Sequence, residues 1–160
     1  MAARAARFEA EALIARTHLT ELGAPPAPSS VDLTRVTDAR TGQKSVLVQG
    51  ARLTLPGRAE PIEIEDYAWS EDEGKLLVYT ESQPVWRQNT RGDFWVLDRG
   101  ATTLKKLGGA DAKPSTLMFA KFSPDGRRVA YVRENDLYVE DLASGAITRL
   151  TTDGSRTVIN

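Results

Sequence analysis

The chain has 160 residues, 41% of them hydrophobic and 27% charged, and its 21 basic and 22 acidic side chains leave a net charge of −1. That balance is globular rather than disordered, and it supplies no basic field to gather nucleic acid or an anionic membrane surface. The absence of cysteine excludes a disulfide framework and any thiolate-held metal.

Residues 1–23 are expected to form an amphipathic α-helix. Phe8, Ala12, Ala15, Leu19 and Leu22 recur at intervals of four and three, which makes one narrow apolar stripe. Gly23 offers a stop, and Pro25, Pro26 and Pro28 make residues 24–30 a proline-rich linker. Glu9 and Glu11 break up any continuous apolar run in this segment, so it does not read as a secretory signal, and the longest apolar runs are too short to span a membrane. From residue 31 onward the pattern is β. Strands are expected at 31–38 and 44–49 around a turn closed by Gly42, then at 52–55 and 61–65 around Pro56-Gly57. Further strands are expected at 76–80, 94–97, 103–107, 117–122, 129–133, 136–141 and 147–151.

These strands repeat. Ala68-Trp69-Ser70-Glu71-Asp72 leading into KLLVYT returns 53 positions later as Lys121-Phe122-Ser123-Pro124-Asp125 leading into RRVAYV. FWVLD, ending at Asp98, answers LYVED, ending at Asp141, at an offset of 43, and Leu104 and Leu107 answer Ile147 and Leu150 at the same distance. A partial third copy, offset by 103, matches Val36, Asp38, Gly42 and Leu47 to Val139, Asp141, Gly145 and Leu150. A period of about 40 to 45 residues built of short strands and turns is the signature of propeller blades. In each full unit an aromatic residue, Trp69 or Phe122, enters a Ser-x-Asp turn. Asp72 and Asp125 are expected to accept turn N–H groups there, with Gly126 easing the bend. The expected fold is therefore all-β, a partial β-propeller of about two and a half four-stranded antiparallel blades over 31–160, preceded by the N-terminal α-helix. Blade-like units fall near 31–66, 67–110 and 111–153. A closed propeller needs at least four blades, so the count predicts a piece of a longer architecture.

The 10-residue difference between the two offsets marks an insertion. ESQPVWRQNTRGD stands in the first full unit where the second has only END. A rim loop is expected there. In it Trp86 offers a flat apolar surface and Arg87 a planar five-donor fork for a carbonyl or carboxylate, while Gln88 and Asn89 add neutral hydrogen-bonding capacity. The plainer alternative folds Trp86 back onto the blade and gives Arg87 a surface ion pair. Lys105-Lys106 and Arg127-Arg128 beside turns are expected to be solvated, as are the Glu71-Asp72-Glu73 cluster and the Glu60, Glu63, Glu65 and Asp66 face. Gly108-Gly109 ends a strand and lacks the lysine and helix of a phosphate-binding loop. There is no GxSxG, and the single histidine, His18, sits on the surface of the N-terminal helix. No catalytic residue, metal ligand or cofactor is assigned.

SEDEGKLLVYTESQPVWRQNTRGDFWVLD followed by FAKFSPDGRRVAYVRENDLYVEDLASGAITRLTTDG resembles the amino-terminal propeller of dipeptidyl peptidase IV-type enzymes, in the prolyl oligopeptidase group of serine peptidases. The resemblance covers roughly residues 31–160. It implies an eight-bladed propeller joined to an α/β-hydrolase domain, an enzyme that removes dipeptides from peptide N-termini, often after proline or alanine. It also implies that Arg87 helps fix the substrate backbone near its N-terminus, with Trp86 buttressing it. The family's glutamate pair for the free amino group falls beyond the position corresponding to Asn160, and Gln88 stands where the family has a histidine. On this resemblance the chain is a non-catalytic segment, inactive alone and placed in the periplasm or secreted. Its implied partners are a peptide N-terminus, further blades and the hydrolase domain. The other interpretation of the same repeats is a TolB- or WD-like propeller module for protein–protein contacts, closed by assembly into a homo-oligomer, with no nucleic-acid role.

Overall fold

A computed structural model describes residues 34–37, 40–55, 57–85, 88–155 and 157–158. The helix expected at 1–23, with His18, and the linker expected at 24–30 lie outside the described residues. The chain divides into two compact units, residues 1–61 and 62–160.

In the first unit β1 (Thr34–Thr37) and β2 (Lys44–Val48) form an antiparallel hairpin. Gly42 between them has φ +68°, the left-handed conformation that a turn assigns to glycine. The strand expected at 52–55 is instead a 3₁₀ turn, Gly50–Leu53, and Thr54 makes only an isolated bridge to Pro61. Burial explains the difference. Gly50 and Leu53 are buried while Ala51 and Arg52 stay exposed, a spacing of three rather than two. The strand expected at 61–65 reduces to that one bridge.

The second unit contains two four-stranded antiparallel meanders. The first runs through β3 (Asp66–Trp69), β4 (Lys75–Val85), β5 (Gln88–Asp98) and β6 (Thr103–Lys106), each paired with the next. The second repeats this with β7 (Leu117–Phe122), β8 (Arg128–Arg133), β9 (Asp136–Asp141) and β10 (Ile147–Arg149). One pairing, Gly92↔Leu117, joins β5 to β7.

The repeat is exact in its turns down to single hydrogen bonds. Ser70 Oγ donates to Asp72 Oδ1 at 2.6 Å and accepts the Lys75 N–H at 2.9 Å. Ser123 Oγ donates to Asp125 Oδ1 at 2.6 Å and accepts the Arg128 N–H at 3.0 Å. Each aspartate also accepts an N–H at 3.0 Å, from Gly74 or from Arg127. The serine hydroxyl first and the amide second hold both carboxyls below the usual carboxylate range. Gly126 takes φ +65°, as the tight bend requires. The β9–β10 turn is closed by Asp141, whose Oδ1 accepts the Ser144 N–H and hydroxyl, each at 2.8 Å, and the Ala143 N–H at 3.1 Å. These bonds, the Ser144 N–H foremost, lower its pKa. Its counterpart Asp98 accepts the Gly100 and Ala101 N–H groups at 2.9 Å.

The two meanders share one core. Leu77, Phe94 and Val96 from the first, Leu107 and Leu117 from the connection and the start of β7, and Val129, Tyr131 and Tyr138 from the second make a single buried cluster. The Tyr131 and Tyr138 rings stack with centroids 6.1 Å apart, and the Arg133 guanidinium lies 4.5 Å from the Tyr138 ring centre. Leu76, Leu77 and Val78 are all buried, so β4 is covered on both faces.

Glu140 reaches from β9 into this core with 1% of its surface exposed. Its Oε2 accepts the Gly108 N–H at 2.9 Å and the Tyr131 hydroxyl at 3.3 Å, and its Oε1 lies 2.9 Å from Lys105 Nζ. Burial, with the Glu140 charge second, pushes the Tyr131 phenol well above its ordinary range, so it remains a donor. Lys105 and Lys106 are therefore not merely solvated. Both are ion-paired, Lys106 to Asp93 at 2.5 Å, because each faces a buried carboxylate that needs a cation.

Two predictions follow from this packing. A Cβ on Gly92 would stand 2.4 Å from Tyr79 Cε2 and 2.8 Å from the Thr80 carbonyl oxygen. Gly92→Ala must push the Tyr79 ring off Phe94, 4.8 Å away between centroids, and should lower stability in urea unfolding by roughly 1–3 kcal/mol. An unchanged midpoint would contradict the close approach. The second prediction concerns acid. Burial pushes the Asp136 carboxyl up, but Arg149, the Thr151 hydroxyl and the Gly154 N–H outweigh it and hold the carboxyl low. Asp72, Asp125, Asp136 and Asp141 thus bind protons more weakly when folded than in the unfolded chain, where an aspartate titrates near about 3.9. Their contribution is complete above that value and is lost as pH falls through the lowered folded values. The melting temperature should drop from about pH 5 to about pH 2, and Asp125→Asn should flatten the slope. A melting temperature constant across that window would refute the assignment.

Candidate functional site

The two repeat offsets meet at one residue pair. In the second meander β8 and β9 part at Arg133↔Asp136, with Glu134 and Asn135 turning between them at φ 51° and 71°. Subtracting 53 from Arg133 and 43 from Asp136 gives Thr80 and Asp93, which pair with each other in the first meander. Residues 81–92 therefore stand in place of a two-residue turn.

The sequence predicts a loop for this insertion, but the chain keeps both strands running through it. Beyond Thr80↔Asp93, β4 and β5 stay paired at Gln83↔Arg91, Pro84↔Asn89 and Val85↔Gln88, with the register irregular between Thr80 and Pro84. Pro84 is tolerated because β3 stops at Asp66↔Tyr79. Past that point β4 has a partner on one side only, and a missing N–H on the other side breaks no ladder. The result is a two-stranded arm that extends past the end of the sheet. The last pairing in the arm is Val85↔Gln88, and Trp86 and Arg87, which fall between these two residues in the sequence, lie outside the described residues. The backbones of Gln88 and Asn89 open β5.

Three sets of bonds hold the base of the arm. On the β4 side, Glu65 accepts the Ser82 N–H at 2.7 Å and the Ser82 hydroxyl with its other oxygen. Across the arm, the Tyr79 hydroxyl donates to the Arg91 carbonyl at 3.0 Å while its ring packs on Phe94. Burial first and the Glu65 charge second raise the Tyr79 pKa, which keeps this donor protonated. On the β5 side, Asp93, 3% exposed, pairs with Lys106 and accepts the Ser115 N–H at 2.8 Å. Ser115 Oγ in turn donates to the Glu81 carbonyl at 2.7 Å.

These carboxylates serve protein donors, so the base is a support rather than a catalytic centre. Glu71, Asp72 and Glu73 form an exposed turn in which Asp72 serves the Ser70 hydroxyl and the Gly74 N–H. Glu60, Glu63, Glu65 and Asp66 are exposed as expected, but Glu65 also caps the arm. The Gly108 N–H is taken by Glu140. Among the described residues no group of three or more His, Cys, Asp or Glu side chains is placed to hold a metal ion, and no helix is long and apolar enough to cross a membrane. Sequence reasoning missed Asp93, Lys106 and Ser115. The signal for the first two was present: Asp93 and Lys106 recur as Asp136 and Arg149 at the same offset of 43, and Arg149 binds Asp136 as Lys106 binds Asp93.

Comparison with known proteins gives the same family. A family model described as the dipeptidyl peptidase IV (DPP IV) N-terminal region matches residues 70–160. A protein named "Probable dipeptidyl-aminopeptidase B" from Aspergillus clavatus is 30% identical over 112 residues, which is 70% of this chain and 11% of that protein. Dipeptidyl aminopeptidase B of Saccharomyces cerevisiae is 29% identical over 117 residues, 72% of this chain and 13% of that protein. The chain thus spans only a small part of the length of these relatives. A crystal structure of Porphyromonas gingivalis dipeptidyl peptidase 4 aligns with 89% of this chain and 21% of its own, with a TM-score of 0.58 and 20% identity. That likeness shows the fold, antiparallel β sheets in a propeller-like arrangement. With the family model matching more than half of its length, the chain belongs to the dipeptidyl peptidase IV N-terminal region family.

Proposed function

We propose that this chain is a non-catalytic segment of the amino-terminal propeller of a dipeptidyl peptidase IV-like serine exopeptidase. The meanders at 66–106 and 117–149 are two of its blades, and the hairpin at 34–48 is part of a further one. The β4–β5 arm carries Arg87 to the backbone of a bound peptide near its N-terminus, with Trp86 buttressing the guanidinium. The observation that supports this most is the arm itself. A two-residue turn in one repeat is replaced by twelve residues in the other, 81–92, and Trp86-Arg87 falls in the sequence between the last paired residues, Val85 and Gln88. An arginine at the end of a braced ribbon suits a recognition task, because its planar fork pairs with carbonyl or carboxylate oxygens only at defined angles. The family match supports this over a TolB- or WD-like interaction module.

The natural gene product that carries this segment should release dipeptides from peptide N-termini, and Arg87→Ala should lower its catalytic efficiency by roughly 2–5 kcal/mol, mostly through KM. Unchanged efficiency would remove Arg87 from the site, and no hydrolysis by the unsubstituted protein would overturn the proposal as a whole.

The partners are further blades and an α/β-hydrolase domain. The face of the second meander opposite the shared core carries Ala130, Val132, Leu137, Val139 and Leu150, and Leu150 is 55% exposed. Another blade suits such a face. The 160-residue chain alone should accordingly self-associate in light scattering at micromolar concentration. A stable, discrete monomer would argue that this face needs no neighbour.

A further inference from the structure

Ser115 lies in the connection between β6 and β7, 7% exposed, with φ +55°. Its N–H is held by Asp93, which Lys106 neutralises, and its hydroxyl holds the carbonyl of Glu81. Glu81 is the first residue of the arm and has φ +48°. Two non-glycine residues in the left-handed region are therefore bonded to each other at the base of the arm. Such conformations are unfavourable by themselves and persist where neighbouring contacts over-determine them. The second meander shows what is general and what is added. There Asp136, the counterpart of Asp93, pairs with Arg149 and takes the Thr151 hydroxyl and the Gly154 N–H of its own outgoing connection. Capture of the outgoing chain by a buried carboxylate is common to both meanders. The bond from the connection to the arm exists only where there is an arm.

We propose that Ser115 is a positioning residue: seated by Asp93 and Lys106, it fixes the backbone turn at Glu81 and thereby the direction in which residues 81–92 leave the sheet. This rests on the substrate-recognition role proposed for the arm.

The test compares Ser115→Ala, Ser115→Gly and Arg87→Ala in the natural gene product, reading KM and kcat with dipeptidyl p-nitroanilides and amide hydrogen exchange across 81–92. Ser115→Gly is the informative variant, because it removes the hydroxyl while relieving the left-handed backbone. A purely structural serine would leave that variant at least as stable and its KM unchanged. Positioning predicts that KM rises roughly threefold to tenfold in both Ser115 variants, the size of one lost hydrogen bond, with faster exchange across 81–92. Thr151→Ala, which removes a hydroxyl that donates to Asp136 in the second meander, should move neither. If Arg87→Ala raises KM while both Ser115 variants leave KM and exchange unaltered, the proposal is overturned. An equal KM rise in Thr151→Ala would overturn it as well. If Arg87→Ala leaves KM unchanged, the recognition role fails. Exchange across 81–92 then decides the clamp alone, faster exchange supporting it and unchanged exchange ending it.

Discussion

Neither four-stranded meander has a sheet that water could cover alone. Leu76, Leu77 and Val78 fill both faces of β4, and Val129, Tyr131 and Tyr138 turn one face of the second meander into a continuous apolar and aromatic surface. Burying side chains of this kind is worth about 1.5–3 kcal/mol each relative to leaving them in water. The shared cluster from Leu77 to Tyr138 is therefore what makes either sheet persist. The connection between the sheets touches the edge of that cluster at Leu107, Gly108 and Ser115, which are buried.

That burial explains the carboxylates. A backbone N–H removed from water needs an acceptor, and a glutamate or aspartate supplies one wherever no strand is available. Glu140 supplies it to Gly108, Asp93 to Ser115 and Asp136 to Gly154. Each carboxylate must then be neutralised, and Lys105, Lys106 and Arg149 answer in turn. Buried ion pairs of this sort add little net stability, since desolvation opposes the attraction, but breaking one leaves a stranded charge. Their value is in register. They specify which connection residue meets which strand end, a choice that apolar packing leaves open.

Much of this was legible in the sequence because propeller-like repeats encode their turns locally. The Ser-x-Asp turns at Ser70 and Ser123 follow from three or four consecutive residues, and the structure reproduces them bond for bond. The strand pattern of 94–107 and 136–150 was equally visible, since alternation needs no partner to be read. The strand expected at 52–55 is a 3₁₀ turn because Gly50 and Leu53 are the buried positions, and that burial depends on what covers them rather than on local sequence. Lys105 and Lys106 looked like surface for a related reason. Their partners, Glu140 and Asp93, are 35 and 13 positions away, and a local reading cannot see that both are buried. The insertion was located correctly by the mismatch of offsets. Its strand character was not, because a ribbon that pairs only with itself carries no face pattern.

An arm of that kind raises a physical problem of its own. A two-stranded ribbon is marginal in water, with no sheet face to bury and ladder bonds that compete with solvent. Past Thr80↔Asp93 it leaves the shared core, and nothing in its own pairing sets the angle of departure. The left-handed φ at Glu81 makes a sharp change of direction there, which strand geometry alone would not produce. What holds that change is a set of bonds from three separate places in the chain: Glu65 before β3, Tyr79 within β4, and Ser115 after β6. Because Ser115 belongs to the connection between meanders, the angle of the arm is tied to the same packing that joins the two sheets. The direction of such an arm is set by the core that the two meanders share, not by the ribbon's own pairing.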